Sequence, residues 1–265
     1  MTLTDAGSIS SVVNLRDVGG HATRTGGRVR TGLLYRSAEL DHVSETDAPE
    51  LARLGIRAVY DLRTEEERLA RPDRLPPGAA YRVVDVLEDA AGDSPAAVMR
   101  KFADAKAASE EFGGDRGIAF FVRAYRNFVL LDSARRAYRR VFSDLTTPTN
   151  RPALMHCTTG KDRTGWATAA LLMLLDVPDE VVMEDFLAST RHLGPALQPV
   201  LDEFESRGGD PGVLRTLVGV YPEYLETAVA EVGRVFGTVD DYFAEGLGID
   251  ADAQRLLRSA FVEAR

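Results

Sequence analysis

The chain has 265 residues, enough for one large domain with a full hydrophobic core. Hydrophobic residues make up 45% and charged residues 28%, and no apolar run reaches membrane-spanning length, so a globular domain without an integral membrane segment is expected. The net charge of −9 argues against broad binding of nucleic acid or anionic lipid, both of which need extended basic surface.

The first ten residues, MTLTDAGSIS, hold no basic segment followed by an apolar one. No signal peptide is predicted, and a cytoplasmic location is expected. Residues 14–20 (NLRDVGG) read as a loop, and 27–37 as short strand-like pieces around a Thr-Gly turn. Residues 46–54 read as a helix, with Pro49 in the first turn and Gly55 as its stop. Residues 56–62 (IRAVYDL) make a strong strand that ends in the polar run RTEEER, and 81–86 make another.

From 87 to 117 the chain is rich in Ala, Gly, Asp and Ser, which suits a surface insertion or lid around one short helix. Residues 118–145 are predicted as one helix, with Phe121, Ala124, Phe128 and Leu131 on its apolar face. Pro148 and Pro152 bracket a turn before a short buried strand at Ala153–His156, and 164–175 form an apolar helix. The remainder reads as helical, with breaks at Gly194 and Pro195, between Gly208 and Gly212, at Gly237, and between Gly246 and Gly248. The fold expected is a single α/β domain over 1–265, with a central, mostly parallel sheet flanked by helices and a helical C-terminal third.

The chain has one cysteine, Cys157, and a lone cysteine is by default a small buried hydrophobe. Its neighbours argue for more. Residues 156–165 read HCTTGKDRTG and lie between a predicted strand and an apolar helix. A loop in that setting collects anions, because unpaired amides and the helix dipole point at what sits above the helix start. Thiols there, beside cations, titrate at roughly 3.5–7.5 instead of near 8.5. Cys157 is thus a candidate nucleophile for a phosphate monoester. Arg163, six residues on, can face the sulfur and grip two phosphoryl oxygens with its planar fork. Thr158, Thr159, Gly160, Lys161 and Thr164 complete the candidate phosphate site. Gly160 frees the backbone to curl, and the Thr164 hydroxyl could bond the thiolate. His156 is expected to orient the loop. Only three of the 32 basic residues are lysines, and Lys161 is one of them, which favours a specific use for it at the pocket rim.

The run HCTTGKDRTG resembles the HCxxGxxR[ST] signature of the cysteine-dependent protein tyrosine phosphatase superfamily. Lys161 and Asp162 narrow the likeness to the atypical bacterial branch with an HCxxGKDR[TA] loop, which includes tyrosine, dual-specificity and lipid phosphatases of the mycobacterial and Listeria type. Segments 14–20, 32–40, 59–68, 184–190 and 221–257 are similar to that family as well, and 87–117 is the weakest match. The resemblance implies a phosphocysteine intermediate that water then hydrolyses. It also implies that Asp162 is the general acid, since no WPD-like loop is found; Asp144 and Asp132 are the fallbacks. Arg16, Asp17 and Arg63 sit in matching segments, open between a supporting role at the pocket and structural ion pairs. His21, His42 and His192 show no metal-ligand spacing, so no metal or other cofactor is predicted. The implied substrates are phosphotyrosine proteins or peptides, with phosphoserine, phosphothreonine and phosphoinositides left open because pocket depth decides among them. Two other readings fit the loop: a pseudophosphatase that binds phosphorylated partners, and a rhodanese-type sulfurtransferase.

Overall fold

Every position of the three central strands is buried, polar Arg36, Ser37, Asp61 and His156 included, and these lie toward the strands' C-terminal ends. The computed structural model describes residues 9–90 and 101–263. Its strands are β1 (Arg16–Asp17), β2 (Arg28–Val29), β3 (Leu34–Ser37), β4 (Ala58–Asp61), β5 (Ala80–Val83), β6 (Ala153–His156) and β7 (Val262–Glu263). Five of them form a sheet in the order β1-β3-β6-β4-β5, parallel except where β1 pairs with β3. All residues of β3, β4 and β6 are buried, as expected of parallel strands covered on both faces. The register sets Ser37, His156 and Asp61 side by side at the C-terminal ends of these strands. The loops that follow therefore rise together at that edge, where open α/β sheets bind their ligands.

The helices are α1 (Ala48–Arg53), α2 (Glu65–Ala70), α3 (Ala105–Phe112), α4 (Arg116–Leu130), α5 (Asp132–Leu145), α6 (Arg163–Leu174), α7 (Asp179–Ser206), α8 (Pro211–Val218), α9 (Pro222–Val235) and α10 (Ala251–Phe261). In α6 every residue but Met173 is buried, the pattern of a helix enclosed on all sides. Trp166 is its largest anchor, packed beside Tyr242, and burying such a side chain contributes about 1.5–3 kcal/mol. An early and a late segment of the chain meet where β2 pairs with β7 and Arg30 donates to the carbonyls of Ser259 and Ala260 at 2.9 and 2.7 Å. Among the described residues no helix is long and apolar enough to cross a membrane.

Two expectations are corrected. Residues 118–145 are two helices, because the backbone of Leu131 is extended (ψ 138°) between α4 and α5. The amide of Ser133 at the new helix start is satisfied by Asp89 at 2.7 Å, a partner 44 residues away that a local pattern cannot reveal. The break expected at Gly194 and Pro195 does not occur. Helix α7 runs through both: Leu193 on one side is buried, and Leu201 and Phe204 on the other are anchored in an apolar cluster. The breaks at Gly208, Gly237 and Gly248 are real, and each glycine has positive φ there.

Residues 101–117 build part of a third apolar cluster, in which Phe102 and Phe112 join Phe204 of α7 and Leu214 and Leu217 of α8. Residues 91–100 of the expected insertion lie outside the described residues.

Candidate active site

The loop 157–162 leaves β6, turns, and enters α6 at Arg163. Gly160 permits the turn: its φ is +67°, and a Cβ there would lie 2.1 Å from the carbonyl oxygen of Ser37. Three neighbouring carbonyls are tied outward. Thr158 accepts from the Glu39 amide at 3.2 Å, Thr159 from the Asn14 side chain at 3.0 Å, and Gly160 from the Arg36 guanidinium at 2.7 Å. Among the described residues, the amides of residues 158–162 have no hydrogen-bond partner. Unpaired amides along such a turn make an anion-binding concavity. Cys157 opens this loop with 1% exposure, and the buried hydroxyl of Thr164 is likewise unpartnered.

Arg163 is held by a residue that sequence reading did not single out. Its two terminal nitrogens bond the two carboxylate oxygens of Glu67 at 2.7 Å each. Glu67 sits in the first turn of α2 in a capping box with Thr64, and it also accepts from Thr158. Burial alone would raise the Glu67 carboxyl, but the Arg163 charge and its hydrogen bonds hold it down at about 2. The Thr-x-x-Glu spacing within RTEEER was the available signal.

Behind the loop lies a layer of paired charges. Arg36, fully buried, bonds Asp185 at 2.8 Å, and Arg16 bonds the same carboxylate at 3.1 Å. Burial raises the Asp185 carboxyl, and the two arginines outweigh it, bringing it to about 2. Arg63, also buried, bonds Asp61 at 2.7 Å, Asp73 at 2.6 Å and Glu39 at 3.0 Å. His156 reaches toward Asp73 at 3.3 Å with Nε2, and its Nδ1 lies 3.3 Å from the Cys157 carbonyl. Burial opposes its protonation, yet Asp73 and Asp61 raise its pKa above the ordinary 6.5. Asp61, Asp73 and His156 together resemble a cation site, but the Arg63 guanidinium already bonds both carboxylates. Asp17 accepts from the amides of Gly19 and Gly32 at 2.7 and 2.6 Å and so braces the N-terminal turns.

Above the loop is a cavity of about 170 Å³. Its floor is Thr158, Thr159, Lys161, Asp162 and Arg163, and its walls are apolar, with Phe102, Phe121, Phe128 and Leu217 among them. Lys161 is not a free charge at the rim. It is 3% exposed, bonds Asp162 at 2.8 Å, and lies 4.2 Å from the ring centre of Phe121.

A sequence model described as the tyrosine phosphatase family matches residues 8–263. The chain belongs to that family. A protein of Cupriavidus necator that carries a provisional tyrosine-protein phosphatase name is 29% identical over 247 residues, covering 92% of this chain and 84% of its own. The triple specificity protein phosphatase PtpB of Mycobacterium tuberculosis is 29% identical over 256 residues, covering 88% of this chain and 90% of its own. A tyrosine-protein phosphatase of Nostoc commune is 27% identical over 160 residues, which is 60% of this chain and 48% of its own. The chain is accordingly a protein tyrosine phosphatase, a phosphoric monoester hydrolase acting on phosphoproteins, built on the expected α/β fold.

In this phosphatase the predicted residues fall into two groups. Thr158, Thr159, Lys161, Asp162 and Arg163 line the cavity, with Cys157, Gly160 and Thr164 in or beside the same loop. His156, Arg16, Asp17 and Arg63 do not line it and instead support the loop and its neighbours from behind. The fallback acids are elsewhere: Asp132 pairs with Arg135, and Asp144 with Arg140 and Arg82 at 3.0 and 3.4 Å. Arg36 and Asp185 also went unnoticed in the sequence, because an ion pair across 149 residues leaves no local pattern.

Proposed function

We propose that this phosphatase works through a phosphocysteine formed on Cys157. The sulfur attacks phosphorus while Arg163 and the unpaired amides of the loop hold the equatorial oxygens, whose charge they stabilise through the transition state. Asp162 protonates the leaving oxygen, and the resulting carboxylate then takes a proton from the water that hydrolyses the thiophosphate ester. The Thr164 hydroxyl, buried without a partner, is available to the sulfur when it departs. No metal or cofactor is needed, because the loop and Arg163 supply the positive potential.

One observation carries this reading: a buried cysteine at the start of a turn whose amides have no partner among the described residues, with a guanidinium fixed by Glu67 at the end of the same turn. A pseudophosphatase has no use for the thiol, and a rhodanese-type transferase has none for the Asp162 carboxylate over the cavity. Trapping the intermediate tests the reading. Acid-quenched enzyme should carry one phosphoryl group on Cys157, and Cys157→Ser should carry none. Turnover without any adduct would remove the cysteine mechanism, and thiosulfate turnover would favour the transferase.

Among substrates, phosphotyrosine fits best. The cavity walls are apolar, and both cations that line it, Lys161 and Arg163, are already paired. A polyphosphorylated inositol ring would have to draw Lys161 away from Asp162 and Phe121. Phosphoserine and phosphothreonine are shorter and would lie deeper against the floor. Because the mycobacterial relative is named for triple specificity, phosphoinositides belong in the substrate panel. Residues 101–117 contribute Phe102 to the cavity wall and are proposed as part of a lid; Phe102→Ala should lower KM for bulky phosphopeptides, and unchanged kinetics would count against it. A nucleophilic thiol with no second cysteine suits a reducing compartment, so cytoplasmic action is proposed.

A further inference from the structure

Asp162 is the N-cap of α6, yet its side chain caps nothing. An aspartate at that position ordinarily accepts from the second or third helical amide and so stabilises the helix start. Here the carboxylate is turned to the helix that walls the cavity. The Tyr125 hydroxyl donates to Oδ1 at 3.1 Å, and the Lys161 ammonium donates to the same Oδ1 at 2.8 Å. Among the described residues, no hydrogen bond reaches Oδ2. The Asp162 side chain keeps 17% exposure and lines the cavity.

Both donors are fixed by one face of α4. Tyr125 is fully buried, with its ring centre 5.0 Å from that of Phe128, 5.5 Å from Tyr224 and 5.9 Å from Phe186. One helical turn earlier, Phe121 presents its ring to the Lys161 ammonium at 4.2 Å. A ring wedged among three others has little rotational freedom, so its hydroxyl is a preset anchor. Burial pushes the Tyr125 phenol well above its ordinary pKa, so it stays a neutral donor.

We propose that Tyr125 is the positioning residue for leaving-group protonation: it pins Asp162 through Oδ1, so that Oδ2 faces the cavity and carries the proton. The proposal rests on the reading of Asp162 as general acid. In the first step the Oδ2–H bond breaks as the proton passes to the leaving oxygen. That oxygen's bond to phosphorus breaks with its electron pair, while the thiolate pair forms the sulfur–phosphorus bond. The carboxylate left behind is stabilised by the two donors already on Oδ1. In the second step Oδ2 takes its proton back from the attacking water.

Tyr125→Phe removes one hydroxyl and keeps the ring that packs. Its kcat should be compared with that of wild type and Asp162→Asn across aryl phosphates of rising leaving-group basicity, with the thermal midpoint recorded for each. A nitrophenolate leaves unaided, whereas a phenolate or tyrosyl oxygen needs the proton. Tyr125→Phe should lose about 10-fold in kcat on the most basic leaving groups and less than about 3-fold on nitrophenyl phosphate, with KM unchanged. Asp162→Asn should show the same slope more steeply, by about 100-fold or more at the basic end. A uniform loss, or none, in Tyr125→Phe beside a steep slope in Asp162→Asn would overturn the role of Tyr125 and leave Asp162 as the acid. A flat series for Asp162→Asn would remove the acid itself, and this inference with it.

Discussion

Beneath the loop of residues 157–162, charge is paired with charge: Arg163 with Glu67, Arg36 and Arg16 with Asp185, Arg63 with Asp61, Asp73 and Glu39. Above it, ring packs on ring: Phe102 on Phe112 and Phe204, Phe120 on Phe121, Phe121 on Tyr224. The lower region holds the loop in one geometry, because removing half of a buried ion pair strands the other half. The upper region shapes a cavity by dispersed apolar contacts, each of which can be trimmed with a graded loss. A change below should therefore strike the chemistry, and a change above should strike stability and substrate fit.

The largest effect is expected at the loop itself. Cys157→Ser should lower kcat by on the order of 10⁴-fold or more while the fold is kept. A variant that retained a tenth of the activity would break the contrast at its root.

Next is Glu67→Gln. It leaves the buried Arg163 guanidinium without a counter-charge, at a cost of about 3–5 kcal/mol in stability. It also frees the guanidinium to drift, so kcat should fall by about 10²-fold or more. Urea unfolding and steady-state kinetics on the same sample would check both. Loss of stability with kcat intact would show that Arg163 keeps its place without Glu67.

The contrast also explains what the sequence could disclose. The loop stood out because the residues of the proposed chemistry are local: Cys157, Gly160, Asp162 and Arg163 lie within seven residues, between a strand and a helix. The parallel sheet and the apolar helix α6 were legible from short buried runs of residues. The supports of the loop were not, since Arg36 meets Asp185 and Glu67 meets Arg163 across long sequence separations. The walls were hidden for the same reason. Phe102 and Phe112 are sparse in a polar stretch and become a core only against Phe204, Leu214 and Leu217. Lys161 was read as a rim charge because nothing local announces the Phe121 ring against it.

In the walls, Leu217→Ala should cost about 2–4 kcal/mol through the cavity it leaves, with kcat on a small aryl phosphate unchanged. A matching fall in kcat would mean that the walls hold the chemistry as firmly as the ion pairs do.

The smallest effect is the pH dependence near neutrality. The Glu67 carboxyl lies at about 2 against an ordinary 4.5, so its stabilisation is complete above 4.5 and is lost as the pH falls toward 2. From pH 7 to pH 4 the loss from this group is below about 1 kcal/mol, and it grows below that. His156 has the opposite sign. Its pKa is raised above 6.5, so its contribution is complete below 6.5 and fades as the pH rises through the raised value. Thermal midpoints of wild type and Glu67→Gln should converge at acid pH; parallel curves would contradict the assignment to Glu67.

A crystal structure with orthovanadate tests the loop most directly. The expected result is vanadium on the Cys157 sulfur, with equatorial oxygens on the amides of residues 158–162 and on the Arg163 guanidinium. Vanadate seated elsewhere, or side chains of Cys157 and Arg163 turned to opposite sides of the loop, would contradict it.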